Sequence, residues 1–280
     1  MFKKAFDFFV FSSLFIAVGA VLTTYQTAWL FQLAFPWTLA AFIFSGTVCS
    51  YNLHWYLTPP ILPKGSKKLI WNITYKRVHL ILFVLGLCGS ALTAFLLIDQ
   101  WLWLGITAFV TFLYTAPKIT HPVAFFLRKI AVGKTIFLAL AWAHITSLLP
   151  IVVTVHRVRA DHIWFVLNRF FFIYALCIVF DFRDVEEDRK AGIRSLITYL
   201  DERGIDMLFW ITIACFGATL WVLRIYFAPL KLAAFGIPCL LLCFLYYPSK
   251  KSTSDYLYYF VLDGLMMLSA PLLLLTKFAG

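Results

Sequence analysis

Charge is what this sequence has least of. Only 13% of its 280 residues are Asp, Glu, Lys or Arg, against 62% hydrophobic, where a soluble domain carries about 25% charge. That excludes an ordinary water-soluble globule. Carboxylates are scarcer still: there are 13 in total and none between Asp7 and Asp99. The strict alternation of apolar and polar residues that the strands of a membrane barrel need is also missing, which excludes that architecture. The six cysteines (Cys49, Cys88, Cys177, Cys215, Cys239, Cys243) form no CxxC pair and no Cys/His cluster. They read as small buried hydrophobes, with no disulfide framework or zinc site. No Gly/Ser-rich linker, low-complexity segment or short-period repeat divides the chain, so residues 1–280 are expected to form one membrane domain.

What is present in abundance is apolar sequence in long runs. Nine of them, about 5–24, 34–57, 78–98, 101–117, 130–150, 162–180, 205–225, 230–247 and 256–276, are each of a length that crosses a bilayer as a helix. The first also resembles a secretory signal in having basic residues before an apolar stretch, and is taken as the first membrane helix. The expected fold is therefore all-α, a polytopic bundle of nine transmembrane helices.

The net charge of +11 invites a nucleic-acid reading, but its distribution points to topology. With the N-terminus cytoplasmic, nine helices place 18 basic residues on one side, Lys64, Lys118, Arg128 and Arg194 among them. Five lie on the other, Arg157, Arg159, Arg224, Lys231 and Lys277. This is the positive-inside bias. It predicts an integral membrane protein with a cytoplasmic N-terminus and no nucleic-acid partner. Arg169 falls inside the sixth run, where a charge is costly and suggests a partner or structural role.

One connection holds most of the acid. Asp181, Asp184, Glu186, Glu187, Asp188, Asp201, Glu202 and Asp206 are eight of the 13 carboxylates, and the loop is predicted to be cytoplasmic. If the sixth helix runs on, Asp181, Asp184 and Asp188 stand at i, i+3 and i+7 on one face. Converging carboxylates repel one another unless a cation joins them. Mg²⁺ suits such a site, since it takes a few carboxylates plus phosphate oxygens and water. The neighbouring Arg183, Arg189, Lys190 and Arg194 suit the remaining phosphate oxygens. The alternative is a solvated loop whose mixed charges keep it wet.

The stretch DFRDVEEDRKAGIRSL, 181–196, resembles the second aspartate-rich motif of the UbiA superfamily of intramembrane prenyltransferases. Asp181, Asp184, Asp188, Arg189, Gly192, Ser195 and Leu196 occupy the motif positions. FLYTAP at 112–117, RKIAVGK at 128–134 and YYFVLDG at 258–264, with its single Asp263, are similar to further landmarks of that family. The resemblance implies nine helices around a central cavity and a prenyl diphosphate held by Mg²⁺. It implies catalytic and metal-binding roles for Asp181, Asp184 and Asp188, and transfer of the prenyl group to an acceptor. It also implies an apolar tunnel for the lipid tail.

The first motif of the family, N-D-x-x-D, meets SYNLHWYLTPP at 50–60. Asn52 matches, but Leu53 and Tyr56 stand in the carboxylate positions. Asn52 and the cations Lys118, Arg128, Lys134 and Arg189 are therefore the expected substrate-binding residues. Asp263 or Glu187 is a candidate to supply the missing carboxylate. Three functions remain open: the transferase, a homologue that binds a lipid diphosphate or partner without transfer, and a small-solute transporter. The clustering of ionisable groups at one membrane face, away from the midplane, weighs against the last.

Overall fold

A computed structural model describes residues 2–58, 66–115, 134–155, 157–190 and 196–278. Among them all regular structure is helical. The elements are α1 (Phe2–Phe11), α2 (Leu14–Leu30), α3 (Trp37–Leu57), α4 (Lys67–Thr74), α5 (Lys76–Leu96) and α6 (Trp101–Thr115). Next comes α7, which runs as Lys134–Ala143, a π-helical turn His144–Leu148 and Leu149–Thr154. Then follow α8 (Ala160–Lys190), α9 (Leu196–Tyr199), α10 (Glu202–Leu223) and α11 (Pro229–Lys251). The last, α12, joins a π-helical turn Leu257–Leu262 to Asp263–Leu275.

The described part of each of the nine apolar runs falls on helix. The crossings themselves are fewer by composition. Six helices among the described residues are long and apolar enough to span a membrane, or seven if the bent pair α1 and α2 counts as one span. Neither α3 nor α6 is among the six. In α3 the polar Asn52 and His54 dilute the apolar sequence, and the apolar part of α6 is shorter. A count of nine crossings is therefore not established, whereas an all-helical integral membrane protein is.

α8 runs through the centre. Residues Phe172 to Val179 are buried almost without interruption, and a helix apolar on every side is one surrounded by others. Of its span, 61% is buried, against 17% for α5 at the rim. The α3–α5 pair packs backbone to backbone. A Cβ added at Gly86 would stand 2.6 Å from the Cys49 nitrogen and 2.8 Å from the Ser45 oxygen, so only glycine permits that approach.

The first run is broken. α1 and α2 meet at 63°, across Ser12 and Ser13, with Ser13 in the left-handed region at φ 68°. The break leaves carbonyls without their helical partners. Two side chains from elsewhere take them up: Asn52 Nδ2 donates to the Ser12 oxygen at 3.1 Å, and Lys68 Nζ donates to the Phe11 oxygen.

Candidate active site at the acidic end of the central helix

α8 carries the acidic stretch as unbroken helix to Lys190. No Gly or Pro interrupts it before Gly192, so the helix period holds and residues 181, 184 and 188 share a face. Asp181 is buried and accepts a hydrogen bond from Thr135 Oγ1 on α7. Lys134 is the neighbouring residue, the first of α7, which brings the start of that helix to Asp181. Asp184 lies one turn further along and is partly buried. The side chains of Glu186, Glu187, Asp188 and Lys134, and the whole of Lys118 and Arg128, lie outside the described residues.

Arg183, between the two aspartates, turns to another partner. Its Nη2 donates to Asp255 Oδ1 at 2.5 Å, and its guanidinium carbon stands 4.5 Å from the Tyr258 ring and 5.3 Å from the Tyr259 ring. Asp255 also accepts from Ser66 Oγ at 3.2 Å and from the Lys68 backbone nitrogen at 2.9 Å. One carboxylate thus closes the first turn of α4 and fixes Arg183 beside the π-helical turn that bears Tyr258 and Tyr259. Turns of that kind recur at functional sites.

Lys68 is the second cation at this end, and it is buried. Its Nζ lies 4.4 Å from the Trp55 ring, 5.5 Å from Trp71, 5.7 Å from Phe11 and 5.9 Å from Tyr259. Ring faces attract a cation, but burial wins: it holds the ammonium well below the usual lysine range, although the charges of Asp255 and Asp263 act in the opposite sense.

Asn52 is engaged on every side. Its Nδ2 donates to the Ser12 and Val48 oxygens, and its Oδ1 lies 2.7 Å from His79 Nδ1. The other ring nitrogen of His79 lies 2.9 Å from Asn72 Oδ1. Arg189 is exposed and directs Nε to the Thr198 oxygen and Nη2 to the Leu200 oxygen, both at 3.2 Å. Asn52 is thus held at the α1–α2 break, and Arg189, on the last turn of α8, reaches the backbone of the segment that follows.

Asp255 and Tyr259 are members of this cluster that the sequence did not single out. A signal for Asp255 was available: it and Asp263 are the only carboxylates after Asp206, and an isolated acid between two apolar runs needs a partner.

Mg²⁺ can be tested against the donors. Asp181 and Asp184 offer hard carboxylate oxygens one helical turn apart, with position 188 on the same face, and this donor set fits the ion. Among the described residues no group of three His, Cys, Asp or Glu side chains converges on a cation site; the Asp188 side chain lies outside them.

A model of the UbiA prenyltransferase family matches residues 72–260, and the chain belongs to that family. The match includes the acidic stretch and Arg183, Asp255 and Tyr259. No match is found among curated proteins or among solved structures.

Proposed function

We propose that this protein transfers a prenyl group from a prenyl diphosphate to an acceptor, at the mouth formed by the end of α8 and the start of α12. The observation that supports this most is the shared face of Asp181 and Asp184 beside Arg183, set against aromatic rings in a chain of the UbiA family. Asp181, Asp184 and Asp188 would hold Mg²⁺, which when bound supplies positive charge to offset the negative charge that grows on the leaving diphosphate.

The chain's own groups do the rest. Lys118, Arg128, Lys134 and Arg189 bind phosphate oxygens, with Arg183 adding charge nearby. Tyr258, Tyr259 and Trp55 present ring faces that suit an allylic cation, and they keep water away from it. In the transfer, the bond from the prenyl carbon to diphosphate oxygen breaks, a bond from that carbon to the acceptor forms, and the acceptor loses a proton. The N-terminus and the acidic stretch are placed on the cytoplasmic side.

A second reading, a homologue that binds the lipid diphosphate without transfer, is favoured by the lack of any carboxylate between Asp7 and Asp99. One experiment separates the two. Membranes containing the protein are given labelled prenyl diphosphates and a panel of acceptors, with and without Mg²⁺, and binding and product are both measured. Turnover that needs Mg²⁺ and vanishes in Asp184→Ala and in Asp188→Ala supports the transferase. Binding without product supports the second reading, and full activity in both variants overturns the proposed site.

A further inference from the structure

The end of α11 nearest the acidic stretch is marked by Lys250, whose Nζ lies 4.7 Å from the Phe182 ring of α8. Leu230 stands twenty residues earlier on the same helix, about 30 Å away along its axis. The start of α11 therefore belongs to the opposite membrane face. There it runs beside the end of α12, which the short turn Thr276–Phe278 follows. The two helices border a groove of about 210 Å³.

Its walls are apolar. Leu230, Ala233, Ala234 and Ile237 recur at i, i+3, i+4 and i+7, one face of α11, and Leu272, Leu275 and Thr276 line the other side. The two alanines leave the room, since a longer side chain at either would fill it. Thr276 adds no free donor, because its hydroxyl donates to the Leu273 oxygen at 2.7 Å. Leu230, Ile237 and Leu275 are exposed, so the groove opens outward toward lipid. An apolar space of about 150 Å³ already stays dry and takes up hydrocarbon.

Charge selects what carries that hydrocarbon. Lys231 follows Leu230 and Lys277 follows Thr276, so a cation stands one residue from the lining on each side. Lys231 Nζ lies 5.9 Å from the Trp29 ring at the end of α2, and Lys277 is exposed. No carboxylate occurs in residues 207–254 or 264–280. Asp161, on α8 at the same membrane face, is paired with Arg159. We propose that this groove binds an acyl chain of an anionic glycerophospholipid, from the leaflet opposite the acidic stretch, with Lys231 and Lys277 holding its phosphate. Long lysine stems reach from apolar walls to the head-group level, and each lysine there is worth about fivefold in affinity for an anionic lipid. A zwitterionic lipid offers the same chain but cancels that attraction with its own ammonium group. The site does not depend on the transfer reaction.

The test uses the full chain in detergent micelles, with a phosphatidylglycerol that carries a photoreactive diazirine partway along one acyl chain. After irradiation the labelled peptides are mapped. Unlabelled phosphatidylglycerol or phosphatidylcholine of matched chains is added as competitor. Label is expected on the peptides holding 230–237 and 272–276. Phosphatidylglycerol is expected to displace it at about a tenth of the concentration that phosphatidylcholine needs. Changing Lys231→Gln together with Lys277→Gln is expected to bring the two competitors to the same concentration, with the label still at the groove. Ala233→Leu fills the exposed side of the groove and is expected to remove most of the label there. Label spread evenly over the lipid-facing helices, equal competition in the wild type, a preference that survives the double lysine change, or undiminished label in Ala233→Leu would each overturn the site. Displacement by a prenyl diphosphate and not by phosphatidylglycerol would make the groove part of the substrate path and overturn it as well. If Ala233→Leu does not accumulate, the lysine pair decides by the same criterion.

Discussion

Arg183 of the central helix and Asp255 of the segment before α12 stand 2.5 Å apart, and that pair joins the acidic stretch to the last helix and to α4. Both side chains are well covered, with relative exposures of 17% and 2%. In such surroundings removing one partner strands the other charge.

Asp255→Asn is therefore expected to cost about 2–4 kcal/mol of stability, because Arg183 is left without its counter-charge and the first turn of α4 loses a carboxylate. Thermal unfolding in detergent measures it. The double change with Arg183→Gln tests the coupling: it should cost less than the two single changes added together. Additive losses would show that the pair contributes nothing as a pair.

Asn52→Ala tests what the retained asparagine of the first motif does. Its amide bridges the broken α1–α2 connection, α3 and His79. Truncation leaves the Ser12 carbonyl and a His79 nitrogen buried without partners, at about 1–3 kcal/mol each. The expected outcome is a large drop in unfolding temperature, with any remaining folded protein binding prenyl diphosphate at nearly the wild-type Kd. A normal unfolding temperature with weakened binding would instead make Asn52 a substrate ligand.

The helices were legible in the sequence because length and hydropathy are local properties, and each apolar run becomes helix wherever the chain can satisfy its backbone only within itself. The continuation of α8 through Asp184 was legible for the same local reason, since nothing between 181 and 190 breaks a helix. The bend at Ser13 was not: neither Pro nor Gly marks it, and its carbonyls are met by Asn52 and Lys68 from distant segments. The partner of Arg183 was hidden in the same way, 72 residues along the chain. Charge counting set Lys68 among topogenic lysines on the membrane face, where an ordinary lysine would reach water. Only the packing of Trp55, Trp71, Phe11 and Tyr259 around it shows that this one turns inward.

That inward lysine gives a pH signature. Burial lowers the proton affinity of Lys68 in the folded chain, while the unfolded chain keeps the ordinary value of 10.5. Between the lowered value and 10.5 the unfolded state binds more protons, so folding stability rises with pH across that window and levels off above it. Lys68→Met keeps the length and apolar stem but cannot titrate. Unfolding measured from pH 7 to pH 10 should show the wild type gaining on Lys68→Met as the pH climbs, with the largest gain at the alkaline end. Parallel curves for the two proteins would mean that Lys68 holds its proton as firmly in the folded chain as in water. The aromatic enclosure and the carboxylates Asp255 and Asp263 would then fully offset the cost of burying the ammonium.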